Sequence, residues 1–184
     1  MPAWPHTFGS LSGVVPASYL DDNFNAAAFS ATNLTAAGLI TGGGTLAADR
    51  TFTVPAATAA NVQAGSSATT AVTPSGLAGS ATPQTLTDAA TVNWNMATGY
   101  NAKVTLGGNR TIAAPTNSIL GLTYALEVIQ DGTGSRVPSL NACFDFGAAG
   151  APTFSTGANK RDIIFMYCYD ATTPAFRCTF SKSA

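Results

Sequence analysis

The chain has 184 residues, enough for one domain of ordinary size plus an extension and too few for two full cores. Only 9% of them are charged, eight Lys and Arg against nine Asp and Glu for a net charge of −1, and Lys160-Arg161 is the only adjacent cation pair, so an electrostatic footprint for nucleic acid is excluded. With charge this sparse and a mean hydropathy of only +0.18, the surface has to be made of Thr, Ser, Asn, Ala and Gly, which suits a β-rich structural protein buried against copies of itself better than a cytosolic enzyme.

Residues 1–34 scatter Trp4, Phe8, Leu11, Tyr19, Leu20, Phe24 and Phe29 at irregular intervals between Pro2, Pro5 and Pro16. Neither a strand nor a helix period persists, so this stretch reads as an extended attachment arm stiffened by proline. Those seven side chains are its anchors, each contributing about 1.5 to 3 kcal/mol once buried on a partner. Asp21 and Asp22 equally suit the cap of a short helix through Ala28. The first five residues lack a basic and an apolar leader region, and the longest bulky apolar run, 163–169, is far short of the ~20 residues of a spanning helix. The expectation is therefore synthesis in a cytoplasm, with no membrane insertion and no secretion.

Residues 35–84 form the next segment, a Gly-rich β-ribbon, a short helix and a linker. In GLITGGGTLAADRTFTV, 38–54, two short β-type runs at 38–41 and 51–54 flank Gly42-Gly43-Gly44, which reads as the turn between them. A ribbon this small needs neighbours to hold it. Residues 55–65 open on Pro55 and close on Gly65, the asymmetry of a short helix, and 66–84 are linker-like around Pro74 and Pro83. Large apolar side chains are too few between 25 and 84 to offset the entropy of ordering that length, so the segment is expected to be ordered by neighbouring chains or to stay loose.

Residues 85–184 carry the module proper. Positions 92–96, 104–106 and 111–112 alternate, and Gly107-Gly108-Asn109 predicts a hairpin between the last two runs. Positions 122–128 alternate before the Asp131-Gly132-Thr133-Gly134 turn. DIIFMYCYD, 162–170, is apolar on both faces and predicts a central strand covered on each side, returning through 171–174 to a strand with Phe176, Cys178 and Phe180 inward. The fold class expected is mainly β: an extended arm and Gly-rich β-turn segment, then a C-terminal antiparallel β-sandwich or jelly-roll-like module.

Chemistry finds little to stand on. A last hairpin centred near Thr173 would set Cys168 opposite Cys178 as a possible disulfide and leave Cys143 to pair between subunits; the competing reading is three small apolar residues kept reduced. Zinc lacks the spacing, and the single histidine, His6, leaves no nucleophile–base arrangement within one chain. A glycosidase would need two carboxylates about 5 to 9.5 Å apart, drawn from Glu127, Asp88, Asp131, Asp145, Asp162 and Asp170, whose positions suit turns and strand ends. Gly42-Gly43-Gly44 has no following Gly-Lys-Ser/Thr and is no phosphate loop. No enzymatic activity, catalytic residue, metal or cofactor is expected.

Several strings carry a resemblance. GLITGGGTLAADRTFTV at 38–54 resembles a motif of fibre and spike proteins of tailed bacteriophages, and the Leu-Asp-x-Asn-Phe of 20–24 is similar to an N-terminal pattern of phage and prophage appendage proteins. The AxxxxVxxG and AVTPxxL strings at 57–77 resemble tail-fibre proteins, and WNxxxGYNxKVTLxGNRTIAAPTN, QDGTGSR and CTF more loosely resemble small C-terminal β-modules of phage fibres. The resemblance implies a virion structural protein of the tail-fibre, neck-fibre or head-fibre kind. Such a part is assembled in the host bacterial cytoplasm as a trimer, docks by its arm on capsid, neck or tail, and projects its β-module outward. The alternative it implies is a receptor- or glycan-binding module for host adsorption, with Tyr100, Asn101 and Arg136 in receptor-facing loops; a small depolymerase is the third reading.

Overall fold

The computed structural model describes residues 33–46 and 48–183. The arm anchors Trp4, Phe8, Leu11, Tyr19, Leu20, Phe24 and Phe29 lie outside the described residues. The protein is mainly β, with several sheets. Its described residues divide into two compact units, one holding 33–56 and 68–71, the other 57–67 and 72–183.

The first unit is a three-stranded antiparallel ribbon of β1 (Asn33–Thr35), β2 (Thr41–Thr45) and β3 (Phe52–Thr53), in the order β1-β2-β3. The glycine triplet, read above as the turn, is instead the middle strand. Its φ angles of 116°, 105° and 120° at Gly42, Gly43 and Gly44 are closed to ordinary L residues. A β-carbon at Gly42 would strike the carbonyl oxygen of Thr51, and one at Gly43 that of Leu34, so both flanking strands approach through the missing side chains. Arg50 closes the far end by donating from Nε to the Thr45 carbonyl and from a terminal nitrogen to Thr45 Oγ1. None of the described residues from 33 to 56 is buried, and Leu34, Leu39, Ile40, Phe52 and Val54 are exposed.

The second unit begins well before residue 85. Helix α1 (Ala59–Ala64) starts at a reciprocal cap, in which Thr58 Oγ1 accepts from the Asn61 amide and Asn61 Oδ1 accepts from the Thr58 amide, and it ends as expected at Gly65, φ 62°. The linker expected over 66–84 contains a second helix, α2 (Pro74–Ser80), with Thr73 as cap and Pro74 in the first turn. Gln63 donates to the Ser80 carbonyl at 3.0 Å, and a β-carbon on Gly76 would come within 2.5 Å of the Ala57 carbonyl oxygen. Small residues and buried polar contacts therefore order 57–84 without the large side chains that the composition lacks.

The module holds two sheets. One runs β10 (Phe144–Asp145), β12 (Ala175–Ser181), β11 (Arg161–Asp170), β8 (Thr123–Gln130), β6 (Asn101–Leu106), β4 (Gln84–Thr85); the other runs β5 (Thr91–Val92), β7 (Thr111–Ile112), β9 (Ser139–Leu140). The expectation of antiparallel sheets is corrected. Only β12-β11 and β11-β8 are antiparallel; β10-β12, β8-β6 and β6-β4 are parallel, as is the whole smaller sheet.

The hairpin expected at Gly107-Gly108-Asn109 is corrected too, because β6 and β7 lie in different sheets and the glycines carry the chain across. Asp88 holds that crossing, accepting from the Gly107 amide at 3.2 Å and from Arg110 at 2.7 and 2.8 Å, while Asn109 Oδ1 accepts from the Val137 amide. Side chains of both sheets enter one core that includes Val92, Ile112, Leu106, Leu126, Ile164 and Phe176. At its centre the Tyr124 ring meets Trp94 and Phe176 edge-on, at 6.0 and 6.4 Å. Each polar tip is satisfied: Trp94 Nε1 donates to the Gly99 carbonyl and Tyr124 Oη accepts from the Ile119 amide.

Candidate functional site

Strand alternation sends Asp162, Ile164, Met166 and Cys168 of β11 into the interior and turns Ile163, Phe165, Tyr167 and Tyr169 outward. The strand is central, between β12 and β8, but the expectation that both faces are covered is corrected: Phe165, Tyr167 and Tyr169 are 44%, 48% and 48% exposed. Register assigns their neighbours. Tyr167 lies between Arg177 and Thr123, Phe165 between Thr179 and Ala125, and Ile163 between Ser181 and Glu127. Parallel pairing of β6 continues these rungs with Asn101 beside Ala125 and Lys103 beside Glu127. Two ion pairs flank the aromatic row, Arg177 with Asp145 at 3.1 Å and Arg161 with Glu127 at 2.9 Å. Among the described surfaces this is where adjacent aromatic rings and hydrogen-bonding groups coincide.

The residues expected in receptor-facing loops do not gather. Tyr100 is half-buried, its hydroxyl donating to the Val62 carbonyl and its ring edge-on to Tyr124 at 6.1 Å, so it fastens α1 to the sheet. Burial pushes its phenol pKa above the ordinary value. Asn101 opens β6 and donates its amide to the Ala81 carbonyl at 2.7 Å. Arg136 sits at the other end of the ladder, where it pairs with Asp131 at 2.8 Å and its backbone amide donates to Gln130 Oε1. What sequence reading missed is the outward row on β11, although a signal was present: in 162–170 all three aromatics fall on one alternation face and Ile164, Met166 and Cys168 on the other.

The three cysteines are free. The final hairpin is centred one position earlier than expected, so Cys168 faces Phe176 and Cys178 faces Met166, and the two sulfurs are not cross-strand partners. Burial pushes the Cys143 thiol up to about 11 and that of Cys178 up to about 12, leaving both protonated and unreactive at neutral pH.

Every carboxylate weighed for glycosidase chemistry has a structural partner. Beside the pairs already named, Asp170 Oδ1 accepts from the Thr172 and Thr173 amides in the β11–β12 turn, and Asp162 accepts from Ser155 and Ser183. Among the described residues no three His, Cys, Asp or Glu side chains cluster as a metal site.

Asp88 and Asp131 make stability depend on acid. Hydrogen bonds from Arg110 and Arg136, respectively, hold their pKa values below the ordinary 3.8. A depressed folded-state pKa stabilises the protein above the unfolded value, and that contribution is lost as pH falls from about 4 through the lower folded values. The thermal midpoint is expected to be level between about pH 7 and 5 and to drop below about pH 4, with a smaller drop in Asp88→Asn and in 1 M salt. A midpoint independent of pH down to about 3 would contradict this.

Comparison with family models, curated proteins and solved structures returns no match for this chain.

Proposed function

We propose that the chain is a structural subunit of a tailed-bacteriophage appendage, a trimeric fibre or spike. Its residues 1–34 dock on capsid, neck or tail, and its C-terminal module is an outward-facing β-sandwich or jelly-roll-like head. It belongs to the virion and is assembled in the host bacterial cytoplasm. The observation that carries the reading is the ribbon. The phage-like string at 38–54 builds two of the ribbon's three strands, no described residue of the ribbon is buried, and Leu39, Ile40, Phe52 and Val54 stand exposed. Such a ribbon calls for neighbouring subunits to cover it. The internal pairing of the module's carboxylates supports adhesion and assembly over turnover. A second reading, a receptor- or glycan-binding part used in host adsorption, is favoured by the aromatic row on β11.

Light scattering on the full chain is expected to give the mass of three 18.6-kDa subunits. Deleting residues 1–34 is expected to leave a soluble oligomeric β-module that no longer joins the particle. A full-length monomer would sink the trimer, and normal incorporation of the truncated protein would sink the arm.

A further inference from the structure

Phe165, Tyr167 and Tyr169 stand at every second position of β11, so their backbone positions are about 6.5 to 7 Å apart and the row is roughly 13 Å long, with the register against β12 shifting between Cys168 and Asp170, at Tyr169. With each ring about half open, the apolar surface on offer is on the order of 300 Å². A stable contact between two copies of the chain removes about 800 Å² per partner, with charge depleted at its centre. This face has neither property. Its apolar part is a single row, and the adjacent rungs carry Arg177 on one side and Glu127 on the other, each already neutralised within the chain by Asp145 and Arg161, while Lys103 lies two strands from the row, on β6 beside Glu127.

A complementary ligand is therefore narrow, uncharged, apolar across its middle and rich in hydrogen-bonding groups along both edges. Sugar rings have that form, with C–H groups on their faces and hydroxyls around their rims. Tyrosine suits such a surface because its ring is apolar and its hydroxyl wet. Arg177, held by Asp145 on the β10 side of β12, supplies several N–H donors on the rung next to Tyr167, and Thr123 brings a hydroxyl to the rung on the other side of that residue. Ala125, opposite Phe165, is too small to cover that ring.

We propose that the outer face of the six-stranded sheet binds a neutral glycan laid along β11, its sugar faces stacked on Phe165, Tyr167 and Tyr169 and its hydroxyls met by Arg177, Thr123 and Thr179. This deepens the adsorption side of the reading above and rests on it for the source of the glycan. The binding measurement itself is independent of subunit number.

The test is calorimetric titration of the full chain with three neutral probes, cellohexaose, maltohexaose and chitohexaose. At least one is expected to bind with a Kd between about 10 μM and 1 mM. Tyr167→Ala and Tyr169→Ala are each expected to weaken it at least about tenfold, Tyr167→Phe to leave it within about threefold, and Val137→Ser, an exposed position off this face, to leave it unchanged. A thermal midpoint within about 3 °C of the parent shows that each variant is folded; Tyr169, near the strand end, is the position where the fold is least at risk. No binding of any probe up to about 10 mM overturns the proposal. Binding that survives both alanine variants overturns it as well. So does a fall in subunit number on Tyr167→Ala without glycan binding, which would make the face a contact between copies. A monomer that binds a probe sinks the trimer alone; a trimer that binds none sinks the glycan platform alone.

Discussion

Asp162→Ala is expected to lower the stability of the module by about 2 to 4 kcal/mol, a fall of roughly 10 °C in its thermal midpoint. The carboxylate is 2% exposed and accepts three hydrogen bonds: from the Ser155 amide at 2.6 Å, from Ser155 Oγ at 2.8 Å and from the Ser183 amide at 2.8 Å. One side chain on β11 thereby pins both the loop before that strand and the segment after β12. Alanine would strand the two backbone amides, and that of Ser155, itself 8% exposed, has little water to turn to, while Ser155 Oγ keeps the Ser183 carbonyl at 3.2 Å. The Phe154–Phe180 edge contact, 5.1 Å between centroids, joins the same loop to the end of β12 and would loosen with it. Asp162→Asn keeps the shape but turns an N–H group toward N–H donors, so it is expected to recover less than half of the loss. Denaturant titration of the two variants measures both numbers; an asparagine variant as stable as the parent would show that shape, and not acceptor chemistry, holds the site.

Much of the local structure could be read before any coordinates, because it is written in adjacent residues. Gly65 ends α1 where a left-handed residue was expected, and the β11–β12 hairpin closes on Asp170, whose carboxylate satisfies two turn amides. Pairing partners were another matter. The Gly107-Gly108-Asn109 signal is correct about a change of direction and silent about whether the chain folds back or crosses to another sheet; Asp88 and Arg110, twenty-two residues apart, settle that. Parallel pairing likewise joins residues with no local mark of each other, as when Thr91, Thr111 and Ser139 line up across β5, β7 and β9.

The candidate face was hidden for a different reason. Counted simply as apolar, Phe165, Tyr167 and Tyr169 rank with Ile164, Met166 and Cys168, so the strand looks buried on both sides, although only the aliphatic and sulfur-bearing set is packed away. Tyr100 shows the converse. An aromatic next to a polar residue after a glycine looked like a loop reader, but its hydroxyl is spent on Val62 and its ring on Tyr124.

Gly43→Ala is expected to abolish the ribbon while leaving the module's thermal midpoint unchanged. At φ 105° an alanine pays about 1 to 3 kcal/mol of backbone strain, and its methyl would also overlap the Leu34 carbonyl oxygen. Relief requires β1 to withdraw, which breaks the Leu34↔Gly44 and Thr35↔Gly43 pairing. The ribbon has nothing in reserve against that loss, since no described residue from 33 to 56 is buried and burial is what would otherwise resist local opening. Hydrogen exchange is the direct measurement: amides of 33–45 are expected to lose protection, while those of β8, β11 and β12 keep theirs. If neighbouring copies cover the ribbon, as proposed, the same substitution also lowers the subunit number of the full chain. Unchanged protection over 33–45 would mean that the strands tolerate a side chain where the geometry leaves no room. Lost protection with the trimer intact would place the subunit contacts outside the ribbon and remove the observation on which the appendage reading rests.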